Sequence, residues 1–241
     1  MTTEKARFRP TFWATFFTVP TLLILLGLGT WQLDRLQWKE ALIAERQAGF
    51  AAAPTPLPAD DAAAHDLLWR RVKVTGSFRH DQEIYLAARS MRGNVGYHVL
   101  TPFDRADGKT VLVNRGWVSN EKKEPAARAE GQLPGTITVE GIATPGGQRN
   151  WLTPENNAEK NVWLWTDIPA MAQHLGRPLQ PVVVEAVATP NPGGFPIGGQ
   201  TRITLPNDHL QYALTWYLIA AGLIAIYVVY HRRKPEQPGP A

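Results

Sequence analysis

The chain has 241 residues, 25 Lys plus Arg against 21 Asp plus Glu, and no cysteine. The missing thiols exclude disulfides, thiolate metal sites, thiol redox motifs and covalent haem attachment through C-x-x-C-H, and three methionines leave little for a soft copper(I) site. Each end carries two net positive charges (Lys5, Arg7 and Arg9 against Glu4; Arg232, Arg233 and Lys234 against Glu236), which accounts for the formal +4 and leaves a neutral middle with no basic patch for nucleic acid.

The mean hydropathy of −0.23 hides two uncharged stretches, residues 12–31 and 212–230. Each approaches the roughly 20 apolar residues that a helix needs to cross a bilayer. Short basic tails stay inside and long loops are translocated whatever their charge. The expected layout is therefore a cytoplasmic tail (1–10), a first transmembrane helix (11–31), an extracytoplasmic domain (32–210), a second transmembrane helix (211–230) and a cytoplasmic tail (231–241). Gly27-Leu28-Gly29 could be read as a signal-peptidase site, but the apolar run is longer than the 7–15 residues of a signal peptide's core. The first ten residues leave no room for a transit peptide, so a bacterial inner membrane is the expected location.

Beyond the first span, residues 34–49 keep helical character until three prolines between positions 54 and 58 break it. A period of two then begins at Val72 and Val74 and closes at Phe78. Further strands are expected over residues 83–89, 97–103, 110–118, 136–143 and 181–187, with hairpin turns at Asp107-Gly108 and Arg92-Gly93-Asn94. Short helices are expected over residues 121–130 and 168–175. Gly193–Gly199 reads as a returning loop. The fold class is thus an α+β membrane protein, two transmembrane helices bracketing a mostly-β domain shaped as a small barrel or sandwich.

Catalytic motifs are lacking: the six histidines show no metal-cluster spacing, and no G-x-S-x-G, P-loop or G-x-G-x-x-G occurs. No enzyme is expected. Arg115 lies in an apolar row with Val111, Val113 and Trp117 on one expected strand face, where it is stacked on the tryptophan, paired with a carboxylate, or open to a ligand; a structural role is favoured. The two helices run in opposite directions, so Trp31, Gln32, Arg35 and Trp38 come near His209, Tyr212 and Trp216 at one membrane face. His209 opens the second helix, where Asn207 or Asp208 can cap it. A neutral imidazole there suits axial ligation, flanking aromatics suit a flat macrocycle such as haem, and Arg35 suits a propionate. His209 at an interfacial helix end is also commonly just an amphipathic residue, and the same aromatics also suit an interfacial belt.

Residues 29–39 (GTWQLDRLQWK), 113–118 (VNRGWV) and 207–217 (NDHLQYALTWY), supported by 96–103 (GYHVLTPF), resemble the surfeit locus protein one family of cytochrome c oxidase assembly factors. The resemblance implies a multi-pass inner-membrane protein that binds haem a transiently and without covalent attachment. It would assist haem insertion into the catalytic subunit of a haem-copper oxidase, with haem a synthase as a further partner beside membrane lipid. It implies His209 as the axial ligand of the haem iron and, around it, Trp31, Arg35, Tyr212 and Trp216. Asp208 stands where many members have asparagine and Leu218 where glycine is frequent. A cofactor-free scaffold for an oxidase assembly intermediate is the alternative.

Overall fold

The computed structural model describes residues 7–147, 149, 151–202 and 205–233. Lys5 and Lys234, which contribute to the expected basic tails, lie outside the described residues with Glu4 and Glu236. In chain order the elements are β1 (Arg7–Phe8), α1 (Phe12–Ala51), β2 (Thr55–Pro56), α2 (Asp61–His65), β3 (Arg71–Phe78), β4 (Ile84–Met91), β5 (Asn94–Arg105), β6 (Thr110–Ser119), β7 (Ile137–Thr144), β8 (Val162–Trp163), α3 (Ile168–Leu175), β9 (Val183–Ala186), α4 (His209–His231) and β10 (Arg232–Arg233), with three short 3-10 turns. The chain divides into two units, one of residues 1–44 with 204–241 and one of residues 45–203.

The first unit is an antiparallel pair of helices. Both helices are long and apolar enough to cross a membrane, and their outward side chains are those that water disfavours: Phe12 is 71% exposed and Leu218 72%. In hydrocarbon, helices gain nothing from hiding apolar surface against each other, so small residues and interhelical hydrogen bonds decide their pairing. Such contacts recur along the pair. Thr11 Oγ1 meets His231 Nε2 at 3.1 Å, Thr15 Oγ1 meets the Tyr227 hydroxyl at 2.6 Å and Thr30 Oγ1 meets the Tyr217 hydroxyl at 3.2 Å. Leu25, Gly29, Ala213 and Ala220 are buried among them. Pro20 withdraws one backbone donor from α1, and Thr21 Oγ1 donates to Phe17 O at 2.8 Å in the turn that it disturbs. Beyond position 31 the helix continues unbroken to Ala51, as the pattern of residues 34–49 predicts, and Pro54 follows its end.

The second unit is an eight-stranded sheet whose pairings return on themselves. β3 pairs with β7, β7 with β9, β9 with β6, β6 with β5, and β5 again with β3, while β2, β4 and β8 extend the circuit. The strands packed on both faces are rich in valine. Val72, Val74, Phe103, Val111, Val113 and Val184 form one core, Ile84, Leu86, Leu100, Leu112, Trp163, Met171 and Val183 form another with α3, and Tyr85, Val99 and Val118 form a smaller third. The predicted turns hold. Arg92 (φ 50°) and Gly93 (φ 84°) take the two left-handed positions of a type I′ hairpin, and Asp107 Oδ1 accepts from Lys109 N at 3.2 Å in the other. α3 has its predicted bounds because Asp167 caps its start, bonding Ala170 N, and left-handed Gly176 ends it.

Two expectations need correction. Residues 121–130 are not one helix: a 3-10 segment spans Pro125–Gly131, because a proline disfavours helical backbone in the residue before it. Nor do Val111, Val113, Arg115 and Trp117 share a face. The register of β5 against β6 passes from Leu100↔Asn114 to Val99↔Gly116, so Arg115 is the extra residue of a bulge and inverts the alternation beyond it. Gly116 permits this: its φ is 118°, and a side chain there would overlap the Ile197 carbonyl oxygen, which accepts from Trp117 N at 2.9 Å.

Candidate functional site

His209 is the first residue of α4 and lies against α1. The cap differs from the expected one, since Asp208 holds the cap position without any side-chain cap bond and only its carbonyl enters the helix, accepting from Tyr212 N at 3.2 Å. The His209 imidazole instead turns to the other helix, where Nδ1 lies 2.7 Å from Gln32 Oε1. A carboxamide oxygen only accepts, so Nδ1 is the donor in this bond, and in the neutral imidazole that leaves the lone pair on Nε2. Among the described residues, no hydrogen bond engages Nε2.

No side-chain hydrogen bond or ring contact among the described residues joins the other expected site residues to this pair. Trp31 is 53% exposed and Tyr212 55%, while Trp216 is half-buried. These three aromatics make no ring contact with one another among the described residues. Arg35 lies over the Trp38 ring, its Cζ 4.1 Å from the centroid, and has no ion-pair partner among the described residues. Two contributors went unassigned in the sequence. Gln32 was placed among the neighbours without a role. Gly29, part of the apparent cleavage triplet, is a seat for Tyr217: a Cβ there would come within 2.7 Å of the tyrosine ring. The spacing Gly29, Gln32 on one face, facing Tyr217 and His209, is the signal that would have found both.

The β unit holds the second concentration of charge, and it answers the question raised by Arg115. Its guanidinium is buried, lies 4.8 Å from the centre of Phe78 rather than over Trp117, donates to Gly131 O, and reaches the Glu83 carboxylate at 3.5 Å. Glu83 is gripped from a second side by Arg128, through Nη1 to Oε1 at 3.1 Å and a short Nη2 to Oε2 bond. The His80 Nδ1 stands 3.7 Å from the same carboxylate. Burial alone would raise the Glu83 carboxyl, but the nearby His80 ring, the hydrogen bonds from Arg128 and the charges of Arg128 and Arg115 outweigh it and hold the group at about 2. Burial likewise draws Arg115 down to about 10 against the pull of Glu83. On the opposite side of the bulge, Asn114 bonds His98 Nδ1 at 3.3 Å, and burial, with the nearby charge of Arg89, pushes His98 down to about 4.

Two candidate membrane helices bracket a mostly-strand domain, and a histidine at each end of α4, His209 and His231, bonds across the helix pair. Residues 20–221 match the SURF1 family, and the chain belongs to it. It is 41% identical over 241 residues to a SURF1-like protein of Monosiga brevicollis, covering 95% of this chain and 90% of that protein. It is 42% identical over 212 residues to Surfeit locus protein 1 of Homo sapiens (81% and 70% covered), and 36% identical over 238 residues to a SURF1-like protein of Drosophila melanogaster (91% and 77%). The matched span opens within α1 and closes within α4, so Gln32 and His209 both fall inside it.

Proposed function

We propose that this chain is a membrane-inserted cytochrome c oxidase assembly factor that receives haem a as cargo and assists its insertion into the oxidase catalytic subunit. The observation that carries the reading is the His209 imidazole, tethered at Nδ1 with Nε2 unengaged, inside a family-matched segment. The residues at hand fit such a cargo. His209 would supply the axial nitrogen to the iron, Arg35 a cation with no carboxylate partner among the described residues for a propionate, and Trp31, Tyr212 and Trp216 apolar ring surface. Haem brings its own iron chemistry; the chain's task is to hold it, shield it and let it go. In this reading the protein is a carrier and no enzyme. It is multi-pass in the bacterial inner membrane with both termini cytoplasmic, helices crossing at residues 11–31 and 211–230, and residues 32–210 facing the periplasm, where they meet the oxidase subunit and, in passing, haem a synthase.

The test is the absorption spectrum of detergent-purified protein from cells with and without haem a synthesis. Haem a bands present only in the first preparation support the carrier. A colourless preparation from haem a-producing cells that still co-purifies with the oxidase subunit would replace it with a cofactor-free scaffold.

A further inference from the structure

Gln32 does more than neighbour the proposed ligand: we propose that it is a positioning residue that sets the tautomer and orientation of His209 and, by being an amide, keeps the ligand weak enough for release. This rests on the reading of His209 as the axial ligand. A free imidazole moves its proton between two nitrogens, and only the form protonated at Nδ1 offers the Nε2 lone pair. The 2.7 Å bond from Nδ1 to Gln32 Oε1 selects that form before any cargo arrives and fixes the rotation of the ring.

The two residues are 177 positions apart and belong to different helices. The bond therefore exists only while α1 and α4 are paired, in the register that the Tyr217 seat on Gly29 and the Thr30–Tyr217 bond maintain. Ligand geometry is thus a consequence of helix pairing. An isolated α4 would present His209 in mixed tautomers.

The identity of the acceptor carries the second half. Metal-ligating histidines commonly donate their second N–H to a carboxylate or a carbonyl, and the acceptor raises the donor strength of the nitrogen on the metal. A full negative charge does this more than a neutral amide. Carboxylates are close in sequence on both sides, Asp34 on α1 and Asp208 beside the histidine, yet both are exposed and the bond goes to the amide. A storage protein profits from the stronger acceptor; a carrier that must surrender its cargo profits from the weaker one.

The test uses full-length protein in detergent with three variants, Gln32→Leu, Gln32→Glu and His209→Ala, and haemin as the probe. In 15N-histidine-labelled apo protein, long-range 1H–15N correlations should show His209 protonated at Nδ1 in the wild type and Gln32→Glu, and a tautomer mixture in Gln32→Leu. Haemin affinity should fall about 10- to 100-fold in Gln32→Leu. Gln32→Glu, which keeps an acceptor of the same length, should restore affinity to the wild-type value or above it, lower the midpoint potential of the bound iron, and slow haemin transfer to apomyoglobin. A merely structural glutamine would move neither the potential nor the transfer rate. If Gln32→Leu keeps the wild-type tautomer and binds haemin within twofold of wild type while His209→Ala abolishes binding, the positioning role is refuted and the carrier stands. If Gln32→Glu leaves potential and transfer rate unchanged, the release argument fails. Wild-type haemin affinity in His209→Ala overturns both readings, since no ligand is left to position.

Discussion

Replacing Glu83 by glutamine keeps the shape of a buried side chain and deletes the charge that two arginines share. The Glu83 side chain is 2% exposed, as is that of Arg115, and that of Arg128 is 1% exposed, so neither cation can turn to water. Two routes give the cost. A carboxyl held at about 2 in the fold, against 4.5 in the unfolded chain, corresponds to about 3 kcal/mol of stability. Removal of one partner from a buried ion pair costs ~3–5 kcal/mol, because the other charge stays buried uncompensated. The sign follows from the lowered value: the unfolded chain takes up the proton first, so the contribution is complete above pH ~4.5 and drains away as the pH falls toward 2. Urea denaturation of the full-length protein in mild detergent, followed by tryptophan emission, reads the β unit through the fully buried Trp163. Glu83→Gln should lose about 3 kcal/mol at pH 7 and should lose less stability than the wild type between pH 4.5 and 2, where Asp104, lowered beside Arg79, still contributes. A loss below ~1 kcal/mol, or the same acid dependence in both proteins, would refute the account of the Glu83 cluster.

Three shorter expectations follow from the same structure. His98, held neutral to about pH 4 by burial and by Arg89, resists a proton that the unfolded chain accepts near 6.5; wild-type stability should therefore fall as pH drops from about 6.5 to 4, and His98→Gln should flatten that slope in a denaturation series. Gly116→Ala, which puts a Cβ into the Ile197 carbonyl at a left-handed position, should cost more than ~3 kcal/mol or prevent soluble expression of the β unit, scored by thermal melting. Gly29→Leu should displace Tyr217 and weaken the helix pair by about 1–3 kcal/mol. Gly27→Leu, with nothing within 4 Å, should be silent; equal effects in a cysteine cross-linking assay of the helix pair would contradict the assigned seat.

What was legible in the sequence was what depends on neighbours along the chain. The period-two runs, the Asp107-Gly108 and Arg92-Gly93 turns, and the capped segment Ile168–Leu175 encode their own geometry, and the structure reproduces them within two residues except at β5, which starts three residues before the expected position 97. The uncharged lengths of α1 and α4 announced themselves in the same way. The parts that escaped depend on distant partners. The bulge at Arg115 leaves only the in-strand Gly116 as a local trace, because the count of residues opposite it belongs to β5; the face expected from alternation was inverted for that reason. Glu83 looked like the first residue of a strand, while its meaning comes from Arg128, 45 positions away. At the candidate site, opposite helix directions pointed to residues 31–38 as partners for the His209 end of α4, but a helix face admits several side chains, and only the packed register singles out Gln32.

The central claim is that His209 carries the cargo, and the most direct measurement is the visible spectrum of His209→Ala beside wild type, both purified from cells that make haem a. The carrier account predicts haem a bands in the wild type and their loss in the variant, at equal protein yield and unchanged melting of the β unit. Bands of undiminished intensity in His209→Ala would contradict it.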